Sequence, residues 1–283
     1  NETLIQSLKH YNFEFIQSNL INDDSFKILC KFSYCLIVSN LLKNSNINFR
    51  TEKNEKPILY LAVEKENFEI IKILLNCEKF TIIDPYNIQT EGDEYVEEEI
   101  PALYLAVEKE NVDIVNLLLD HHDHFYSNDS YNKTVIKEKD QDQIINRNYK
   151  DNDEYDEYDE EETSMIEKKE EIIKPVLVLA VEKENIIITK LLLNHFGRDI
   201  NNPRKYLLDG KNHIKDIKPV LYLAVEKENV EIVELLLSHD QINIDEQYEF
   251  ENNYTYNYKE VFELVEELKN DKIKQVLIDH RNK

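Results

Sequence analysis

Glycine is nearly missing from this chain. Three glycines in 283 residues leave no material for the Gly-rich loops that cradle phosphates, or for a sheet protein built on Gly-dependent hairpins. Cysteine is equally sparse. Cys30, Cys35 and Cys77 form no CxxC pair and no even framework, which excludes a disulfide scaffold and favours a reduced, intracellular setting, with the cytoplasm as default. No stretch of 18 apolar residues occurs, so no membrane span is expected. Positive charge is in deficit too. Against 34 Lys and Arg stand 58 Asp and Glu, a formal net charge of −24. Nucleic acids and anionic membranes need a basic footprint, so both are excluded as partners, while a basic protein is not. No methionine precedes Met165, so the chain reads as a fragment, and a signal peptide upstream stays open.

What the chain does have is repetition. The string Leu-Ala-Val-Glu-Lys-Glu-Asn occurs unchanged at 61–67, 105–111, 179–185 and 223–229, each time four residues after a proline (Pro57, Pro101, Pro175, Pro219). Such a period means a stack of similar units. In the first copy Leu59, Ala62 and Val63 mark one helical face; Asn67 interrupts it, and Ile70, Ile71, Leu74 and Leu75 restart the 3.6-residue period on a second helix. Proline suits the helix start. The alanine common to all four first helices lets a neighbouring helix approach closely. A high charged fraction of 33% beside 41% apolar residues suits a thin, elongated molecule.

Weaker copies flank the four strong ones. Phe26, Leu29, Ile37, Val38, Leu41 and Leu42 repeat the template 33 residues ahead of Leu59 and its neighbours, and Asn12 to Ile16 imitates Asn229 to Val233. Phe262, Leu264, Val265, Ile273, Leu277 and Ile278 form a charged last copy. Seven units are expected, four strong and three degenerate, because the end units of a stack need wetter outer faces. As domains, 1–283 is one solenoid: degenerate units in 1–50, strong units in 56–125 and 173–246, and a capping unit in 259–283. The insert at 126–172 carries the run Asp151 to Glu162, nine of whose twelve residues are acidic. That run cannot bury enough apolar surface to order itself, so the insert is expected to be disordered.

A 33-residue step, paired helices, and Leu-Tyr-Leu-Ala-Val followed by Val-Glu-Ile-Val-Glu-Leu-Leu-Leu resemble the ankyrin repeat. The resemblance implies an all-α, curved helical solenoid with extended or disordered finger loops. It also implies a non-catalytic scaffold that meets partner proteins through its concave face and fingers. The departures are specific. Pro57, Pro101, Pro175 and Pro219 stand where the family has threonine, and Tyr60, Tyr104, Val178 and Tyr222 where it has histidine. The glycine that ends the family's first helix is replaced by Glu66, Glu110, Glu184 and Glu228. Either these glutamates are left-handed, at about 1 kcal/mol each, or the turn differs.

Chemistry-bearing clusters are few. His121, His122, Asp123 and His124 offer zinc-type ligands. However, His121 shares its repeat position with His195 and His239, and successive units stack roughly 10 Å apart, too far to share a metal. A histidine at a helix C-terminus gains from the macrodipole and can bond loose carbonyls, which is the expected role. The acidic run fails as an EF-hand, with Tyr155 and Asp156 where an oxygen ligand and Gly are needed. No orienting group or oxyanion turn accompanies Cys35, so catalysis is not expected. No cofactor, metal or small-molecule substrate is expected either.

The Glu-Lys pairs on the first helices are identical in every copy, so they read as a solubilising ladder of exposed ion pairs. Recognition is expected in the variable fingers, at Tyr86, Tyr95, Glu97, Glu98, Glu99, Tyr206 and Tyr248, since tyrosines among acids suit an interface. The acidic run is read first as a solvated linker. As a docking arm for a basic partner it would use Tyr155 and Tyr158. The chain is expected to be a monomer. The competing functional class is a regulatory ankyrin module of a larger protein whose catalytic domain, a kinase for example, lies outside these residues.

Overall fold

The computed structural model describes residues 23–31, 34–44, 56–77, 86–90, 94–121, 130–137, 168–196, 218–239, 242–252 and 255–282. Within them, six helix pairs follow one another. They are α1 (Asp23–Lys31) with α2 (Cys35–Asn44), α3 (Ile58–Glu64) with α4 (Phe68–Leu75), and α5 (Ala102–Glu108) with α6 (Val112–Asp120). Then come α7 (Val176–Glu182) with α8 (Ile186–Phe196), α9 (Val220–Glu226) with α10 (Val230–Leu237), and α11 (Val261–Leu268) with α12 (Asp271–Arg281). First helices touch first helices, α1 to α3 through α9 to α11, and second helices touch second helices in the same succession. This is the helical solenoid that the period implies. The weak unit around Asn12 lies outside the described residues.

Each strong unit is built the same way because its residues are the same. Proline occupies the N-cap, one residue before the helix, with extended ψ near 145° (151° at Pro57, 142° at Pro219), and its carbonyl accepts the Leu61 or Leu223 amide. Seven residues later the helix ends in a Schellman motif: Glu66 N–H donates to Val63 O and Asn67 N–H to Ala62 O, and the other three copies match. The motif needs a left-handed residue, and Glu66, Glu110, Glu184 and Glu228 have φ of 52° to 57°. Of the two readings left open above, the left-handed one is the observed one. Lys269 takes that place in the last pair, at φ 57°.

The asparagine that opens each second helix has up to three uses, and Asn185 and Asn229 show all of them. Its backbone closes the Schellman turn, and its Oδ1 accepts the amide three residues on (Ile70, Ile114, Ile188, Ile232, Ile273), at 3.1–3.2 Å, capping the second helix. Its Nδ2 reaches the preceding unit. Asn185 donates to Glu110 Oε2 at 3.2 Å, Asn229 to Glu184 at 3.2 Å, and Asn270 to Glu228 at 2.9 Å. Glu110, Glu184 and Glu228 are therefore left-handed residues that also supply an acceptor glycine could not provide.

The core runs the length of the stack as one cluster. Ala62, Ala106, Ala180 and Ala224 are at most 3% exposed, so the first helices pack through their small residues. The second helices contribute Ile70, Leu74, Ile114, Leu118, Ile188, Leu192, Ile232 and Leu236, all essentially inaccessible. Thr189, fully buried, satisfies its hydroxyl by donating to Asn185 O at 2.8 Å. The last pair is wetter: Lys274 pairs with Glu266, and the Arg281 guanidinium lies 4.3 Å from the Phe262 ring centre.

Between the pairs stand fingers. β1 (Tyr86–Thr90), β2 (Glu94–Ile100), β3 (Ser130–Lys137) and β4 (Lys168–Pro175) form one antiparallel sheet in that order, and β5 (Tyr248–Asn252) pairs with β6 (Thr255–Lys259). Residues 130–137 and 168–172, which the charge run suggested would be disordered with the rest of 126–172, are thus strands. The reason lies in the ends of the insert. Val135 and Ile136 on β3 and Ile172 and Ile173 on β4 are β-formers, set opposite Glu170, Lys169, Lys133 and Asn132, whereas the acidic residues 151–162 lie outside the described residues.

Two measurements probe this construction. Asp ranks with Asn as an N-cap, yet Asn229→Asp removes the Nδ2 donor and sets a second carboxylate against Glu184. We expect a loss of about 1 kcal/mol or more at pH 7 in urea unfolding. The facing carboxylates would bind protons more tightly folded than unfolded, so the deficit shrinks as pH falls through the carboxylate range. An Asn229→Asp protein as stable as wild type at pH 7 would remove the inter-unit bond from the account. Ala224→Leu, overfilling the helix contact, is expected to lower stability by about 1–3 kcal/mol in the same assay.

Candidate functional site

Fingers carry the variable residues, so their geometry decides what the stack can present. In the four-stranded sheet side chains alternate between faces, and the register sorts them. Glu97 pairs with Gln89 and Thr134, Glu99 with Asn87 and Asn132, and Tyr95 with Ile136. Thr134 is opposite Glu171, and Ile136 opposite Lys169. Tyr95, Glu97, Glu99 and Glu171 therefore occupy one face. Glu98 falls on the other, opposite Lys133, as Glu94 is opposite Lys137. The run Glu97 to Glu99, read from sequence as one acidic patch, is split by strand alternation. On the first face Glu97 accepts from Gln89 Nε2 at 2.8 Å.

Tyr86 and Tyr248 behave differently from the expectation of exposed contact residues. The Tyr86 ring packs on Tyr60 with centres 4.8 Å apart and is 8% exposed. Tyr248, half-buried, packs on Tyr222 at 4.9 Å. Both sit at the roots of their fingers. Burial first, then the charge of Glu64, pushes the Tyr60 phenol up to about 12, and burial with Glu226 does the same for Tyr222. These phenols stay neutral. Tyr155, Tyr158 and Tyr206 lie outside the described residues.

The first-helix charges are organised by a residue that the repeat reading passed over. Lys56, Lys174 and Lys218, each just before its proline, pair with Glu64, Glu182 and Glu226 eight residues on, and Lys259 pairs likewise with Glu267. The Lys56 hydrogen bond, above all, holds Glu64 below the usual carboxylate range. Its contribution to stability is present above the unfolded carboxylate pKa and fades as pH falls through the depressed one; partial exposure keeps it small. The signal was in the sequence as Lys-Pro before three of the four strings. At the fourth, Ile100 takes the lysine's place and packs against the core.

Among the described residues no three His, Cys, Asp or Glu are placed to hold a metal ion. His121 ends α6 with Nδ1 2.9 Å from Leu117 O, the carbonyl-bonding role expected of it. His122 and His124 lie outside the described residues. Burial raises the Cys30 thiol well above its ordinary range, which makes it a poor nucleophile. No helix among the described residues is long and apolar enough to cross a membrane.

Residues 26–130 match the family model for ankyrin repeats, with three copies. No curated protein matches the chain. Among solved structures, the chain is similar to the crystal structure of the ankyrin repeat domain of Bcl-3, described as a unique member of the IkappaB protein family. The TM-score is 0.50 and the identity 17%, over 90% of this chain and 85% of that one; at such identity the likeness is one of fold. Ankyrin repeats generally mediate protein–protein interaction. The repeated strings, the stacked helix pairs and these matches together show ankyrin repeats in residues 26–130 and an ankyrin-type fold in the chain that carries them.

Proposed function

We propose that this protein is a non-catalytic scaffold that binds a basic partner protein, with the finger sheet as its charged contact surface and the concave face of the first helices beside it. One observation carries the reading. Strand register gathers Tyr95, Glu97, Glu99 and Glu171 on one face with a single lysine, Lys169, while Glu98 and Glu94 are set against Lys133 and Lys137 on the other. The first face is acidic; the opposite face is close to balanced in charge. The first-helix glutamates add little to this, since Glu64, Glu182 and Glu226 already hold lysines.

Mechanistically, the stack is folded before the partner arrives, so binding orders little new backbone. A net charge of −24 draws a basic surface in and speeds encounter, with an effect that salt screens. The acidic run at 151–162 is the second acidic element in this reading, with Tyr155 and Tyr158 among its carboxylates. The monomeric, cytoplasmic setting expected from sequence is part of the same proposal.

The check is a binding titration with a Lys- and Arg-rich peptide, together with affinity capture at low and high salt. Removing three charges from the acidic face with Glu97→Gln, Glu99→Gln and Glu171→Gln is expected to weaken binding about tenfold or more, at a few tenths to 1 kcal/mol per charge. Glu98→Gln should change it little. Equal effects from Glu98→Gln and the triple variant, or capture of acidic partners indifferent to salt, would sink the proposal.

A further inference from the structure

Two of the six described helix pairs share a side-chain arrangement that the others lack. Beside α3 stand Lys56, Tyr60, Glu64 and Tyr86; beside α9 stand Lys218, Tyr222, Glu226 and Tyr248. The two sets have the same spacing, 4, 8 and 30 residues on from the lysine. Both join the first-helix tyrosine to the finger tyrosine and hold the lysine to the glutamate, although the ammonium lies over the first-helix ring in one set and over the finger ring in the other. Lys56 pairs with Glu64 and lies 5.6 Å from the Tyr60 ring centre, and Tyr60 packs on Tyr86 at a tilt of 52°. Lys218 lies 2.7 Å from Glu226 and 5.8 Å from the Tyr248 ring centre, and Tyr222 packs on Tyr248 at 44°. Elsewhere the set is broken, by Ile100 and Ser130 around α5, Val178 in α7 and Glu263 in α11.

We infer that Tyr86 and Tyr248 are positioning residues, which lock the fingers β1–β2 and β5–β6 to the body of the stack at a preset angle. Each is at once a ring packed on a first helix and the first rung of a finger, since Tyr86 pairs with Ile100 and Tyr248 with Lys259. The returning strand is tied as well. Ile100 packs against the core, and Lys259 pairs with Glu267 on α11. A finger fastened on both strands at its root cannot swing without breaking an aromatic contact that a neighbouring ammonium reinforces. The lysine is itself held by the glutamate, so four side chains act as one joint.

This inference deepens the proposed function, because it rests on the fingers carrying recognition, and it moves Tyr86 and Tyr248 from contact to support. A finger held in place loses less freedom on binding than a loose one. The two joints stand three units apart, so the preset fingers lie roughly 30 Å from one another by helix-packing distances. That spacing suits a partner with two separated basic segments better than one with a single patch.

Amide hydrogen exchange on the full chain, without partner, tests the joint. Tyr86→Ala is expected to speed exchange in Tyr86–Thr90 about tenfold or more, leaving α3 to α6 and β5–β6 as in wild type. Tyr248→Ala should do the same in Tyr248–Asn252 alone. Tyr86→Phe and Tyr248→Phe, which keep the ring, should keep wild-type protection. Unchanged exchange in the alanine variants overturns the inference. So does acceleration spread evenly over α3 to α6, which would make Tyr86 a core residue and no more. An oligo-lysine peptide serves as the binding probe in parallel. If it fails to bind wild type while the exchange pattern holds, the basic-partner reading falls and the joint stands.

Discussion

Everything in this stack passes through the asparagine between the two helices of a unit. A half-buried asparagine brings two donors and a carbonyl to satisfy. Here its backbone closes one helix, its Oδ1 opens the next, and its Nδ2 joins the unit before. A single side chain thus sets the angle within a unit and the register between units. The glutamate that receives its Nδ2 could not be glycine, because glycine has no acceptor. This accounts for glutamate rather than glycine at positive φ at Glu110, Glu184 and Glu228, at a strain of about 1 kcal/mol that the charge-assisted bond offsets.

The same bond rationalises why the string Leu-Ala-Val-Glu-Lys-Glu-Asn is kept whole. Leu, Ala and Val are needed for burial, the first Glu for its upstream lysine, and the second Glu with Asn for the joint between units. The lysine sits beside the first Glu, 3.9 Å from it in the first copy. Uniformity here reflects a mechanical constraint on stacking. It says nothing about what the protein recognises.

Most of the fold could be read from the residues, and less of the surface. Helix pairs, their core alanines and the role of His121 follow from period and position, because a short-range pattern determines them. The fingers do not. Tyr60 and Tyr86 are 26 positions apart, and their contact depends on where a hairpin turns back, which no local pattern states. The acidic run hid the strands at the edges of its insert, since composition averaged over 126–172 swamps Val135, Ile136, Ile172 and Ile173. Likewise Glu97 to Glu99 is one patch in a line of text and two in a pleated strand.

The β3–β4 pairing has a further meaning for how such a chain can vary. Ser130 lies opposite Pro175 and Lys137 opposite Lys168, so the longest insert leaves and rejoins the body through a closed ladder. The ladder brings positions 137 and 168 together, so doubling the number of residues between them would cost only about 0.6 kcal/mol in closure entropy. The stack is thus a chassis with a socket. Sequence between the strands can be lengthened, shortened or exchanged while the helices keep their places, and new specificity can be tried without rebuilding the protein that carries it.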